Sequence, residues 1–378
     1  MQIARIGQSM MSITIVLFTL ASYRSASLAG LAAFFAIFPG LIVSPIAGAL
    51  LDRHGRTRLV VLDYLAAMAA LALIGSLALS AALPSWLLIV IVAIASLTAP
   101  LSATGLRSFF PVIVPSHLWE RVNAVDSTGY VFAAVIGPPL AAGLVAVWGG
   151  AVTFILIGLS FGIAAIVIAR VPDPPAPGGL PGTLLADAWK GVLYTWRNPS
   201  LRGLGCSISV ANLAGGVLTI VVPLMVLERF HLDEIVVGLA FAVQGLTGIV
   251  SAVIFGRYDS RNRERIMLAA PMVGTGIAVA TLLVTSNLAI LVAVMAVMGV
   301  LNGPLDIALF TLRQRRTDPQ WTGRAFAVSM SFNYLGIPIG SAIAGVVAAR
   351  SIDAALAFGA VTSVIAGVIV VMMIPAAE

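Results

Sequence analysis

Cysteine, lysine and histidine are nearly absent from this chain of 378 residues, and each scarcity removes a class of chemistry. A single cysteine, Cys206, excludes an internal disulfide and a thiolate metal cage. The only lysine is Lys190, so no Gly-x-x-x-x-Gly-Lys phosphate loop exists and the chain carries no ATPase of its own. His54, His117 and His231 fall at the ends of apolar stretches and are too dispersed to suggest a metal site. Neither an Asp-rich metal motif nor a His-Glu-x-x-His helix occurs, which argues against a membrane enzyme such as a lipid-modifying transferase. No repeated polar filter of the kind a channel needs is found.

Charge is scarce as well. Only 10% of residues are charged while 60% are hydrophobic, and the mean hydropathy is +1.08. A soluble domain of this size could not hide so much apolar surface, so the chain is an integral membrane protein of the all-α class. The net charge of +6 would point to nucleic acid in a soluble chain; here the placement of the charges matters more, and no nucleic-acid partner is expected. The first apolar stretch has no small-residue cleavage site and is expected to stay as a helix.

Counting apolar runs at roughly 20 residues per crossing predicts twelve membrane helices. They are placed at 5–23, 27–51, 59–80, 85–109, 120–147, 151–170, 201–227, 235–256, 265–285, 288–312, 321–348 and 353–374. Short turns such as Leu83-Pro84-Ser85, Trp148-Gly149-Gly150 and Thr285-Ser286-Asn287 make neighbouring spans antiparallel. With both termini on one side, that side holds eighteen of the basic residues, from Arg5 to Arg324, and the other only Arg24, Arg229 and Arg350. The asymmetry predicts cytoplasmic termini.

The longest connection divides the chain into a first bundle (1–171), a linker (172–200) and a second bundle (201–378). The Pro- and Gly-rich start of the linker, Pro172 to Gly182, cannot be helical. Beyond it Leu185, Trp189, Val192 and Trp196 recur at helical spacing, which predicts a short amphipathic helix in the membrane interface. At a constant offset of 204, Arg53 meets Arg257, Pro100 meets Pro304, Pro115 meets Pro319 and Tyr130 meets Tyr334, while Gln8 meets Asn212. Two related six-helix halves would place a substrate path between them, with access alternating by rocking.

Between the second and third spans lies a polar island, Gly48-Ala49-Leu50-Leu51-Asp52-Arg53-His54-Gly55-Arg56-Thr57-Arg58. A solvated loop obeying the positive-inside rule would account for Arg53, Arg56 and Arg58, but not for the aspartate or the glycines. Gly48 allows close helix approach, Asp52 follows one turn later, and Gly55 permits a sharp reversal. This Gly-x-x-x-Asp-Arg-x-Gly-Arg spacing, with twelve spans in two halves, resembles the major facilitator superfamily. Two further stretches are similar to its drug- and siderophore-exporting branch, which includes enterobactin exporters and macrolide efflux proteins. One runs from Pro111 to Pro115, then Asn123-Ala124 and Ile136 to Gly143; the other from Trp189 to Arg202.

The resemblance implies a multi-pass transporter of the bacterial cytoplasmic (inner) membrane, acting as a monomer. It would have no cofactor and no metal, and would move a small molecule against an ion gradient. It also implies gating roles. Asp52 would contact the cytoplasmic start of the eleventh span near Asp318-Pro319, where helix amides carry partial positive charge. Arg121 and Arg324 would complete a charge relay. Gly137 and Pro138 would bend the fifth span, although small-residue packing explains them equally. The intramembrane arginine that many proton-coupled drug antiporters carry in the fourth span is missing, because Arg107 lies at the span's end.

For coupling, a membrane-embedded ionisable group is costly and rarely idle. Asp306, beside Asn302 and Gly303-Pro304, is the proton-coupling candidate; the alternative is that it reaches the headgroups or pairs with an arginine. Asp63 and Asp126, nearer span ends, are expected to be structural. Gln8, Asn212, Gln244, Asn302, Asn333 and Tyr334 are candidates for lining a weakly polar substrate cavity, each with the alternative of a helix–helix contact. Such a pocket suits a hydrophobic or amphiphilic molecule (a drug, siderophore or secondary metabolite), so export is expected. An importer or a lipid flippase of the same superfamily is the alternative.

Overall fold

The apolar runs become helices because a backbone without water must satisfy its own N–H and C=O groups within each segment. The computed structural model describes residues 2–113, 115–171, 184–258, 260–284, 287–318 and 321–375. Among these are thirteen α-helices and no strand. They are α1 (Gln2–Tyr23), α2 (Ala26–Phe35), α3 (Phe38–His54), α4 (Arg56–Leu79), α5 (Ser85–Ile113) and α6 (Trp119–Ala169). After the linker follow α7 (Leu184–Arg197), α8 (Pro199–Leu224), α9 (Glu234–Phe255), α10 (Glu264–Thr281), α11 (Leu288–Arg315), α12 (Thr322–Ala348) and α13 (Ile352–Met373).

Ten helical stretches among the described residues are long and apolar enough to cross a membrane. Two predicted spans account for the lower count. The expected helices at 120–147 and 151–170 are both present and count once because they fall within α6, divided only at Gly149 with φ 75° and ψ 163°, so the expected turn is made by one residue in a glycine-favoured conformation. The ninth expected helix, at 265–285, is shorter than predicted, ending at Thr281. The second expected span is broken instead: α2 stops at Phe35 and α3 starts at Phe38, with Pro39 in its first turn. Proline lacks the amide that would continue the helix from α2, so the break falls just before it.

Large apolar side chains stay exposed along these helices, among them Ile42, Ile94, Val147, Ile163, Val250 and Met372. That distribution fits hydrocarbon as the surrounding solvent.

The chain forms two compact units, one of residues 1–24 with 35–185 and one of residues 25–34 with 186–378. In the first, Phe18 packs edge-on against Phe154 and Tyr64 tilts against Phe161. In the second, Leu204, Ile208, Leu268, Met272, Leu309, Leu312 and Val370 form a buried cluster. Glycines set how closely helices approach there. A Cβ on Gly336 would lie 2.0 Å from the Ser209 carbonyl oxygen, and one on Gly340 2.1 Å from that of Leu213. The four-residue repeat on α12 therefore seats directly on the four-residue repeat of α8 backbone. The short α2 packs in this unit too, with Gly30 against Gly345.

Candidate functional site

The first unit buries charge that the sequence presents only as flanking residues. Arg5, on the first turns of α1, is 7% exposed, and Asp126 near the start of α6 is 5% exposed. The Arg5 guanidinium forms an ion pair with the Asp126 carboxylate, and its Nη1 donates to the Asp126 carbonyl oxygen at 2.8 Å. The same guanidinium lies 3.7 Å from the ring centroid of Tyr130, one turn beyond Asp126. Arg5 therefore does not contribute to the solvated charge of its end of the helix.

Beside this pair opens a chamber of about 60 Å³. Its wall comes from α1 (Gln8, Met11, Ile15), the α2–α3 break (Ala36), α4 (Asp63, Ala67, Ala70, Leu71, Ile74), α5 (Val92, Ala95, Ser96, Ala99, Ser102) and Phe161 of α6. Alanines at facing positions leave the volume. Asp63 is 4% exposed and faces Thr98 and Ser102, whose hydroxyls donate to the Ala95 and Ala99 carbonyls of α5 at 3.0 and 3.3 Å. Thr98 and Ser102 stand four residues apart, so both present to the same side of α5. A smaller recess of about 20 Å³ shares Gln8, Ser102 and Phe161 with the chamber and reaches Arg5, Tyr64 and Tyr130. Gln8 thus borders both recesses.

The other cavity candidates lie in the second unit. Asn212 donates through Nδ2 to the Asn333 carbonyl at 2.7 Å, and Ser209 Oγ donates to the Phe332 carbonyl at 2.5 Å, so both tie α8 to α12. Asn333 is 4% exposed; with its amide turned, its oxygen accepts from Arg313 Nη2 at 2.7 Å and its nitrogen donates to the Ser329 carbonyl at 3.0 Å. Arg313 itself is 1% exposed, with the Phe310 ring 5.7 Å away. Like Arg5, it is a buried cation rather than a solvated flank. Gln244 is half-buried where α9 meets Gly299 of α11. Asn302 and Asp306 sit one turn apart on the same side of α11 and are both exposed, as is Tyr334 on α12.

At the polar island, α3 ends at His54, and Gly55 turns the chain with φ 90° and ψ 141° before α4 starts at Arg56. Leu51 packs with Ala47 and Leu101, and Gly105 of α5 is pressed against Leu51 and Val60. Arg56 is half-buried and Arg58 exposed. The side chains of Gly48, Asp52, Arg53, Arg121 and Arg324 lie outside the described ones, as does Pro319. Gly137 and Pro138 fall inside α6, where a Cβ on Gly137 would lie 2.5 Å from Ser9 Cβ and Oγ on α1.

The linker helix α7 turns Trp189 and Trp196 outward and Gly191 and Thr195 inward. Its far end holds the approach to α12. The Tyr194 ring stacks on Trp321 with centroids 4.9 Å apart and an interplanar angle of 7°, and its hydroxyl accepts from the Asp318 amide at 3.0 Å. Asn198 donates to the Arg316 carbonyl at 2.9 Å and caps α8 through Leu201 N–H.

Sequence reasoning missed the Arg5–Asp126 pair, whose members are 121 residues apart with no shared pattern. It named Asp63 but not the chamber. The available signal was a carboxylate deep in an apolar run facing a Thr-x-x-x-Ser pair on the next helix.

The sequence model of the Major Facilitator Superfamily matches residues 3–208 and 204–378. The chain is 36% identical over 375 residues to an uncharacterised transporter of this superfamily type, y4rN of Sinorhizobium fredii, covering 97% of this chain and 91% of that protein. It is 23% identical to macrolide efflux protein A of Streptococcus pyogenes, over 92% of this chain and 87% of that one. The fold superposes on the nucleoside transporter NupG with a TM-score of 0.75 at 12% identity, covering 99% of both chains. With the family matched along both halves and the helical architecture in agreement, this chain belongs to the major facilitator superfamily and is a multi-pass membrane transporter of small molecules.

Proposed function

We propose that this transporter exports a hydrophobic or amphiphilic small molecule by alternating access, driven by a proton gradient across the bacterial inner membrane with both termini in the cytoplasm. The observation that carries the reading is the character of the chamber's wall, mostly alanine, leucine, isoleucine and valine with few polar groups. A sugar or a multiply charged metabolite would leave its polar groups unpaired there, whereas an apolar body would not. The relationship to a macrolide efflux protein supports the same direction and substrate class.

In this scheme the rocking of the two bundles is latched by Asp52 against the start of α12, and Asp306 carries the proton. Asp306 stands on α11, one turn from Asn302, with no hydrogen bond or ion pair to a described residue, which leaves its carboxylate uncommitted. The test is transport in oriented proteoliposomes. An imposed pH gradient drives substrate out of the cytoplasmic compartment in the wild type. Asp306→Asn abolishes the pH-driven component and keeps substrate counterflow; unchanged pH-driven export by that variant removes Asp306 from the coupling. Net accumulation toward the cytoplasmic side would favour an importer instead.

A further inference from the structure

The linker helix α7 turns its largest apolar side chains away from the protein. At about 100° per residue Trp189, Leu193 and Trp196 share one narrow stripe. All three are exposed, Trp189 at 67% and Trp196 at 53%, so the stripe is not packed on a neighbouring helix. The buried face is the opposite one, with Gly191 and Thr195. Lys190 and Arg197, both exposed, stand seven residues apart along one edge of the stripe. Tryptophan suits the level of lipid headgroups, where its ring meets hydrocarbon and its N–H meets water, and basic side chains beside it reach outward to phosphate.

The helix is also held where such a boundary lies. Its last residue, Arg197, is separated only by Asn198 from Pro199, where α8 and a stretch long and apolar enough to cross a membrane begin. On its inner side Tyr194 and Asn198 tie it to the connection between α11 and α12, through Trp321, the Asp318 amide and the Arg316 carbonyl. From the exposed tryptophan stripe, its basic edge and its place beside a membrane entry we infer that α7 docks on anionic phospholipid. Trp189, Leu193 and Trp196 lie at the boundary of headgroups and acyl chains, and Lys190 and Arg197 pair with the lipid phosphates. The negative surface potential of an anionic leaflet acts on both cations, so α7 prefers it to a zwitterionic one. Because Tyr194 and Asn198 join the same helix to the α11–α12 connection, docking also steadies that connection. The lipid surface thus biases the start of α12 whatever the transported molecule is.

The test compares the full-length protein in nanodiscs of phosphatidylcholine alone with nanodiscs that also contain phosphatidylglycerol. Amide hydrogen exchange in α7 slows by about fivefold or more in the anionic discs, the effect of one basic residue at a charged surface. The difference shrinks in about 1 M salt, where charges are screened within about 3 Å. Equal exchange in the two lipids overturns the inference without recourse to any variant. Lys190→Gln combined with Arg197→Gln removes the difference; a difference as large as in wild type places the charge effect elsewhere and overturns the assignment. Phosphatidylcholine with brominated acyl chains reads the stripe itself. The emission lost in Trp189→Phe with Trp196→Phe is the part that the bromines quench in wild type; if that part is unquenched, the stripe faces water or a soluble partner and the docking is overturned. Exchange of the Asp318 amide slows together with α7 in the anionic discs, and an Asp318 amide indifferent to lipid charge overturns the link to α12. None of these measurements needs a substrate, so their outcome is independent of the export reading.

Discussion

Arg5 and Asp126 close a buried ion pair between the first turns of α1 and the start of α6, with the guanidinium laid over Tyr130. Removing one partner strands the other charge among helices, whereas removing both leaves an apolar contact of similar volume. Arg5→Met or Asp126→Leu alone is expected to destabilise the protein by about 3 to 5 kcal/mol. The double variant recovers much of that loss. Thermal unfolding of the purified protein checks this, and a double variant as unstable as the sum of the singles would show that the two residues do not act as a unit.

Gly55 holds φ 90° and ψ 141° between α3 and α4, a region that residues with a Cβ scarcely enter. Gly55→Ala should therefore cost about 1 to 3 kcal/mol at the turn that carries the polar island. Because the strain is local, it should be read as faster backbone hydrogen exchange in the last turn of α3 and the first of α4. Wild-type exchange there in the alanine variant would show that the reversal does not depend on glycine.

How much of this was legible beforehand follows the physics of each signal. Span positions follow from hydrophobic length alone, and most helices lie where the apolar runs predict them. The Gly149 joint and the break before Pro39 involve glycine and proline that the sequence displays, yet their outcome depends on whether neighbouring helices continue in line, which is a tertiary matter. Gly55 was readable because a single residue type satisfies its dihedrals. Burial of Arg5 and Arg313 was not readable: an arginine near a helix end looks the same whether it meets water or a partner brought from far along the chain. Asn212 and Asn333 illustrate the same ambiguity among uncharged groups, since an amide inside a membrane helix can serve a ligand or a neighbouring backbone carbonyl equally well.

Tyr194 fastens the linker helix to the segment before α12 in two ways, by its stack on Trp321 and by accepting the Asp318 amide hydrogen. The two can be separated. Tyr194→Phe keeps the ring and removes only the hydrogen bond, at a cost of about 0.5 to 1.5 kcal/mol, while Tyr194→Ala removes both. Exchange of the Asp318 amide should quicken in the Phe variant and quicken further in the Ala variant. Equal exchange in Phe and wild type would mean that the hydroxyl does not hold that amide.

Gly30 of α2 and Gly345 of α12 approach each other so closely that neither can carry a side chain. A Cβ on Gly30 would lie 2.4 Å from the Ser341 carbonyl oxygen and 2.8 Å from Gly345 Cα, and one on Gly345 would lie 2.6 Å from the Ala26 carbonyl oxygen. All of these obstacles are backbone, so relief requires the helices to part rather than a side chain to swing aside. Gly30→Ala and Gly345→Ala should each lower the unfolding midpoint. The first substitution already opens the contact, so the second adds little, and the double variant should lose clearly less than the sum of the two singles. Strictly additive losses would mean that each glycine is confined by separate neighbours and that the two helices do not meet at this pair.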